Sequence, residues 1–271
     1  MSNKNLLPKI LATMVLAVIF TVIGLMFSPL KSDLQDWLAL EYNSHINELM
    51  TSPNNYLMSE PEPIIGKSTN SSQIITNEIN DENSMLDIWF DRSQTQALIV
   101  QRQGKIVYER YGEDVKQGLN VNGMSMAKSV IAILIGIAID DELINSEKDP
   151  ISIYLPELTS SKYNRVEIRD LLRHTSGIQS SNRDLQDTLN NKLLNLSTRD
   201  LLFSDDKSFS YDNMNYHLLM LILQRLYQKP INEIIEAKVW QSLRLEDASM
   251  VTSSGYCCLF ATAKSWLAIG N

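Results

Sequence analysis

Ten consecutive apolar residues, Val130 to Ile139 (VIAILIGIAI), constrain this chain more than any other feature. Such a run is too short to span a bilayer, which takes roughly 20 apolar residues. It suits a helix covered on every side, and so predicts the central helix of a domain. At its head stand Ser125 and Lys128 in the stretch SMAK. A serine there can cap the helix, and a lysine stem can lie along apolar surface while its amine reaches water. The spacing also permits chemistry. Positions i and i+3 share a helix face, so the Lys128 amine can reach the Ser125 hydroxyl. A serine is a poor nucleophile near neutral pH, and a lysine becomes a usable base when desolvation disfavours its charged form. The apolar run supplies that desolvation.

A second apolar run has a different length. From Ile10 to Phe27 there are 18 residues without a charge (ILATMVLAVIFTVIGLMF). As a helix they would reach about 27 Å, close to the hydrocarbon thickness of a bilayer. Lys4 and Lys9 precede the run, which predicts a cytoplasmic N-terminus and an exported remainder. A cleavable signal peptide is the rival reading, but the stretch is long for one and no A-x-A site follows it. The expectation is a single-pass inner-membrane protein with its domain facing the periplasm or exterior. Residues 1–30 then form the anchor or signal, and residues 31–85 a juxtamembrane helix and linker. Leu34, Leu38, Ile46 and Leu49 follow helical spacing, whereas residues 51–85 are rich in Ser, Asn, Pro and Glu and show no sustained period.

Composition narrows the function. Acidic residues number 32 against 24 basic ones, a net charge of -8, with no basic block for a nucleic-acid surface. Nucleic acid is therefore excluded as a partner. His45, His174 and His217 belong to no metal-binding spacing, and no cofactor motif is present. The cysteines, Cys257 and Cys258, are adjacent and cannot close a loop; they read as two small buried hydrophobes rather than a vicinal disulfide.

Downstream of residue 86 the pattern is that of a folded domain. Ala97 to Gln101 and Lys105 to Tyr111 predict a hairpin turned at Gly104. VEIRDLLRHTSGI predicts a helix stopped near Gly177, and SFSYDNMNYHLLMLILQRLYQKP a loop opening a second apolar helix. In that loop Tyr211, Asp212 and Asn213 offer either a helix cap or a proton acceptor. Tyr211 could take a serine's proton if Lys128 stabilised its phenolate. A Ser-His-Asp hydrolase is a poorer fit. GMSMA approximates G-x-S-x-G, but LNVNGM makes a poor strand before the serine, and Ala127 stands where the second glycine belongs.

Taken in order, GKIVYERYG, SMAKS, DPISIYLPEL, LLRHTSGI, FSYDNMNYHLL and GYCCLFATAKSW resemble the serine β-lactamase and penicillin-binding-protein superfamily. The resemblance is to its class C β-lactamase-related branch, which also holds esterases and nylon-oligomer hydrolases. It implies an α+β fold, an antiparallel sheet flanked by helices with a helical subdomain, over residues 86–271. It further implies an acyl-enzyme hydrolase of an ester, amide, peptide or β-lactam bond, acting on a small molecule or peptide without cofactor or metal. In it Ser125 is the nucleophile, Lys128 its partner, Tyr211 the base and Asn213 a substrate-binding residue. His174 falls in a structural segment, and Cys257 and Cys258 in a stretch at the active-site rim. The resemblance also implies a third motif, K-T-G or H-x-G, beyond Asn271. The sequence therefore reads as a homologue lacking its C-terminal strands, with activity weakened accordingly. A membrane-anchored penicillin-binding sensor without turnover is the alternative.

Overall fold

The computed structural model describes residues 62–66, 81–93, 95–113, 115–158, 162–180, 202–204, 206–251 and 255–271. The chain divides into two compact units, Met1–Glu48 and Leu49–Asn271, and all described residues belong to the second. The apolar run from Ile10 to Phe27 and the helical spacing from Leu34 to Leu49 lie outside the described residues. Among the described residues no helix is long and apolar enough to cross a membrane.

The hairpin forms where the alternation predicts it. Strands β2 (Ala97–Arg102) and β3 (Lys105–Tyr111) pair antiparallel. Gln103 and Gly104, both at positive φ, make the tight turn between them. A separate antiparallel sheet has the order β1 (Glu62–Ile64), β7 (Ala248–Met250), β8 (Leu259–Ala261), β4 (Val121–Asn122). Its strands are only two or three residues long, too short to show a period of two in sequence. β1 comes from within the polar lead-in, and helix α1 (Asp81–Arg92) begins there as well.

The run of ten apolar residues lies in α2 (Ala127–Asp140). It is not covered on every side: Ser129, Ile133, Gly136 and Asp140 are exposed along one stripe, while Val130, Ile131, Leu134, Ile135 and Ala138 are buried. Those positions recur at helical spacing, so one face is the core and the other is not. The buried face packs against α4 (Asn213–Tyr227), whose Leu218, Leu219, Ile222 and Leu223 are fully enclosed. Helix α3 (Ile168–Leu172) docks on α4, and α5 (Ile231–Ile235) on β1. A π turn, Glu236–Trp240, leads from α5 into α6 (Gln241–Leu243). A two-stranded pair, β5 (Ile178–Gln179) and β6 (Leu202–Phe203), follows α3, and α7 (Ala263–Ile269) packs on β2.

Two further expectations are corrected. Cys257 and Cys258 are joined as a vicinal disulfide. Cys258 has a φ of 72°, and in that left-handed conformation the two neighbouring side chains meet. LNVNGM does contain a strand: β4 pairs with β8 through Val121↔Ala261 and Asn122↔Phe260, two residues before the serine turn. Its stability comes from the buried neighbour strand rather than from its own alternation.

Candidate active site

Ser125 sits in a single 3-10 turn, Met124–Met126, between β4 and α2. The turn is fastened from below. Buried Asn122 accepts the Met124 N–H at 2.8 Å through its Oδ1, and the Gly123 N–H donates to the Leu259 carbonyl at 2.8 Å. Gly123 has no room for a side chain, since a Cβ there would lie 2.0 Å from Cζ2 of Trp266. The turn thus holds Ser125 exposed at the head of a helix.

Ser125 does not cap α2, which has no side-chain cap bond at its start. Instead its Oγ receives a hydrogen bond from Lys128 Nζ at 3.1 Å. Lys128 does not reach for water either: it is 5% exposed. Its Nζ also donates to the Tyr256 carbonyl at 2.8 Å and lies 5.0, 5.9 and 5.5 Å from the ring centroids of Tyr211, Tyr216 and Tyr256. Burial lowers the Lys128 pKa, against an opposing pull from Tyr211.

Tyr211 is brought to the same place by α4. Asp212 is the N-cap of that helix, accepting the Met214 N–H at 2.8 Å, and it also holds the Ser180 N–H and hydroxyl at 2.6 and 2.7 Å. Burial alone would raise the Tyr211 phenol. Hydrogen bonds from Lys128 and Ser125, with the charge of Lys128, outweigh it, and the net shift is downward. Ser125, Lys128 and Tyr211 therefore form one connected group. Asn213, half-buried, is the first residue of α4 and stands beside it in the chain.

Sequence reasoning missed how much of the support is aromatic. The His174 ring stacks on Tyr211 at 4.5 Å between centroids and lies 5.2 Å from that of Tyr216. Its Nδ1 accepts the Asp212 N–H at 3.3 Å and faces Nδ2 of buried Asn215 at 3.2 Å. Burial, then the charge of Lys128, lowers the His174 pKa, so the ring is neutral near pH 7. The residue turns at a φ of 56° and ends α3. That left-handed histidine was the one signal in the segment, and it is visible only in the backbone.

A catalytic triad would place a histidine nitrogen on the serine and a carboxylate on the other nitrogen. His217 does neither: it is 1% exposed, and both ring nitrogens lack a partner among the described residues. Among the described residues no group of His, Cys, Asp and Glu could hold a metal ion. Exposed Met124 and Met126 flank Ser125 in sequence, and exposed Phe209 stands two residues before Tyr211. The arrangement can deprotonate a serine hydroxyl and hold it before an incoming carbonyl.

The Beta-lactamase family model matches residues 91–254. Among solved structures, a Bacillus anthracis protein assigned as a 6-aminohexanoate-dimer hydrolase superposes with a TM-score of 0.58 at 20% identity, over 68% of this chain. FmtA from Staphylococcus aureus gives 0.55 at 17% identity over 76%, and a class C β-lactamase from Rhodobacter sphaeroides 0.54 at 16% over 69%. The chain spans 55%, 66% and 63% of the lengths of those three proteins, respectively. No curated protein matches it.

Proposed function

This chain belongs to the Beta-lactamase family, and on that premise we propose that it is a serine hydrolase working through an acyl-enzyme on Ser125. The observation that carries the reading is the buried Lys128 amine, 3.1 Å from an exposed Ser125 hydroxyl and 5.0 Å from the ring centroid of Tyr211, a phenol of lowered pKa. Tyr211, as phenolate, takes the Ser125 proton while Oγ attacks the substrate carbonyl carbon. Lys128 stabilises the phenolate charge. Tyr211 then passes the proton to the departing alcohol or amine, leaving an ester on Ser125. Water enters by the reverse of the same proton path and releases the acid. Asn213 orients the substrate. The substrate is a small ester, amide, peptide or β-lactam, and the exposed Met124, Met126 and Phe209 suit an apolar acyl portion.

The domain is held by residues 10–27 on the outer side of the inner membrane, a reading supported by the uncharged run after Lys4 and Lys9. Pre-steady-state kinetics with p-nitrophenyl esters and a chromogenic cephalosporin test the catalytic proposal. The expected result is a burst of about one equivalent followed by turnover, both abolished in Ser125→Ala. Turnover that survives Ser125→Ala, or no burst with any of these substrates, contradicts it.

A further inference from the structure

The Cys257–Cys258 disulfide has no part in the hydrolytic reading, yet it adjoins the residue that holds the lysine. The Tyr256 carbonyl accepts from Lys128 Nζ at 2.8 Å, closer than Ser125 Oγ at 3.1 Å. The stretch is pinned on either side of the cystine. Gly255 presses on α4, where a Cβ would lie 2.4 Å from the Cβ of Met220 and 2.8 Å from the Tyr216 carbonyl. The Cys258 carbonyl accepts the Val251 N–H at 3.0 Å, and β8 begins at the next residue. Between these anchors Cys258 is buried at a φ of 72°, a region disfavoured for a residue with a Cβ. Without the covalent link between the two sulfurs, the backbone at Cys258 is free to relax toward ordinary φ. The Tyr256 carbonyl, two residues earlier, moves with it. Cys257 is partly exposed, so a thiolate can reach its Sγ.

We propose that Cys257–Cys258 is a thiol-exchange site which positions the Tyr256 carbonyl on Lys128, so that reduction by a small dithiol releases the lysine from its working position. The proposal rests on the reading of Lys128 as partner of the nucleophile. A thiolate of the reductant attacks Sγ of Cys257, the Sγ–Sγ bond breaks, and Cys258 leaves as a thiolate that takes a proton. The second thiol of the reductant then displaces Cys257 and closes a cyclic disulfide. Two electrons and two protons pass to the protein, which now carries two thiols. The groups facing the amine are the hydroxyls of Ser125 and Tyr211, the rings of Tyr216 and Tyr256, and, behind Tyr211, the His174 imidazole. Loss of the Tyr256 contact lets water in among them.

The full chain, purified without reductant and then split into untreated and dithiothreitol-treated halves, provides the test. Iodoacetamide uptake by intact mass counts the thiols, a fluorophosphonate reports the acylation rate of Ser125, and NMR of the labelled Lys128 Cε follows its titration. The untreated protein takes up no iodoacetamide and the reduced protein two equivalents. In the reduced protein, and in Cys257→Ser/Cys258→Ser without reductant, the Lys128 midpoint moves up by about one unit and acylation at pH 7.5 slows about tenfold. Two alkylatable thiols in the untreated protein, or the same Lys128 titration in both redox states, overturn the proposal. Failure of Ser125 to acylate in either state counts against the catalytic reading alone, since the lysine titration still decides the role of the cystine.

Discussion

Lys128→Met separates what the buried amine does for chemistry from what it does for stability. Methionine keeps most of the stem's packing and removes the amine. Two hydrogen bonds disappear, at 3.1 Å to Ser125 and 2.8 Å to the Tyr256 carbonyl. Each contributes about 1 kcal/mol net, and the carbonyl left unpaired is the costlier loss. Against this, the wild type carries an ammonium whose pKa burial has lowered, and each unit of lowering is about 1.4 kcal/mol of penalty on the charged folded form. The two effects oppose each other, so the variant should stay within about 1 kcal/mol of wild type at pH 7 in urea denaturation. Acylation should fall by about 10²–10⁴, the usual worth of a positioned acid or base. The sign of the pH dependence follows from the direction of the shift. Between the depressed folded pKa of Lys128 and its ordinary value of 10.5, the unfolded chain binds more protons, so wild-type stability gains from this lysine as pH rises through that window. Lys128→Met lacks that gain. A stability loss above about 3 kcal/mol at pH 7, or acylation at the wild-type rate, would refute the reasoning.

Leu134→Ala, on the enclosed face of α2, should cost about 2–5 kcal/mol in urea denaturation, whereas Ile133→Ala on the exposed stripe should cost under about 1.5 kcal/mol. His217, with a pKa lowered to about 4 by burial, is neutral in both states above pH 6.5. Below that the unfolded chain takes up a proton the folded one refuses, so stability should fall from pH 6.5 to about 4 and His217→Leu should flatten the slope, as melts across that range will show. An enzyme reporter active only after export, fused after residue 85, should be active, and a cytoplasm-only reporter at the same place should not.

The part of the candidate site carried by one short stretch, the 3-10 turn and the first turn of α2, was legible in the sequence. Ser125 and Lys128 sit three residues apart beside an apolar run, and helical periodicity alone brings them together. For Tyr211 the residues alone left a proton acceptor and a structural role both open and the family resemblance chose between them, because nothing in a polar loop of the sequence says which distant helix it will face. The cage around Lys128 was hidden for a related reason. Tyr216 looked like one more apolar residue of α4, and Tyr256 contributes its backbone as much as its ring. The hairpin was legible because six- and seven-residue strands show their alternation. The four-stranded sheet was not, since strands of two or three residues are chosen by their neighbours rather than by their own pattern. The cystine depended on one backbone angle at Cys258, which composition does not encode.

The central claim is that Ser125 is the residue acylated, and mapping a covalent adduct tests it most directly. The full chain is treated with a fluorophosphonate, digested and sequenced by tandem mass spectrometry. The account predicts a single modified serine, Ser125, with labelling lost in Ser125→Ala and suppressed by orders of magnitude in Lys128→Met. An adduct on another residue, or equal labelling of wild type and Ser125→Ala, would contradict it.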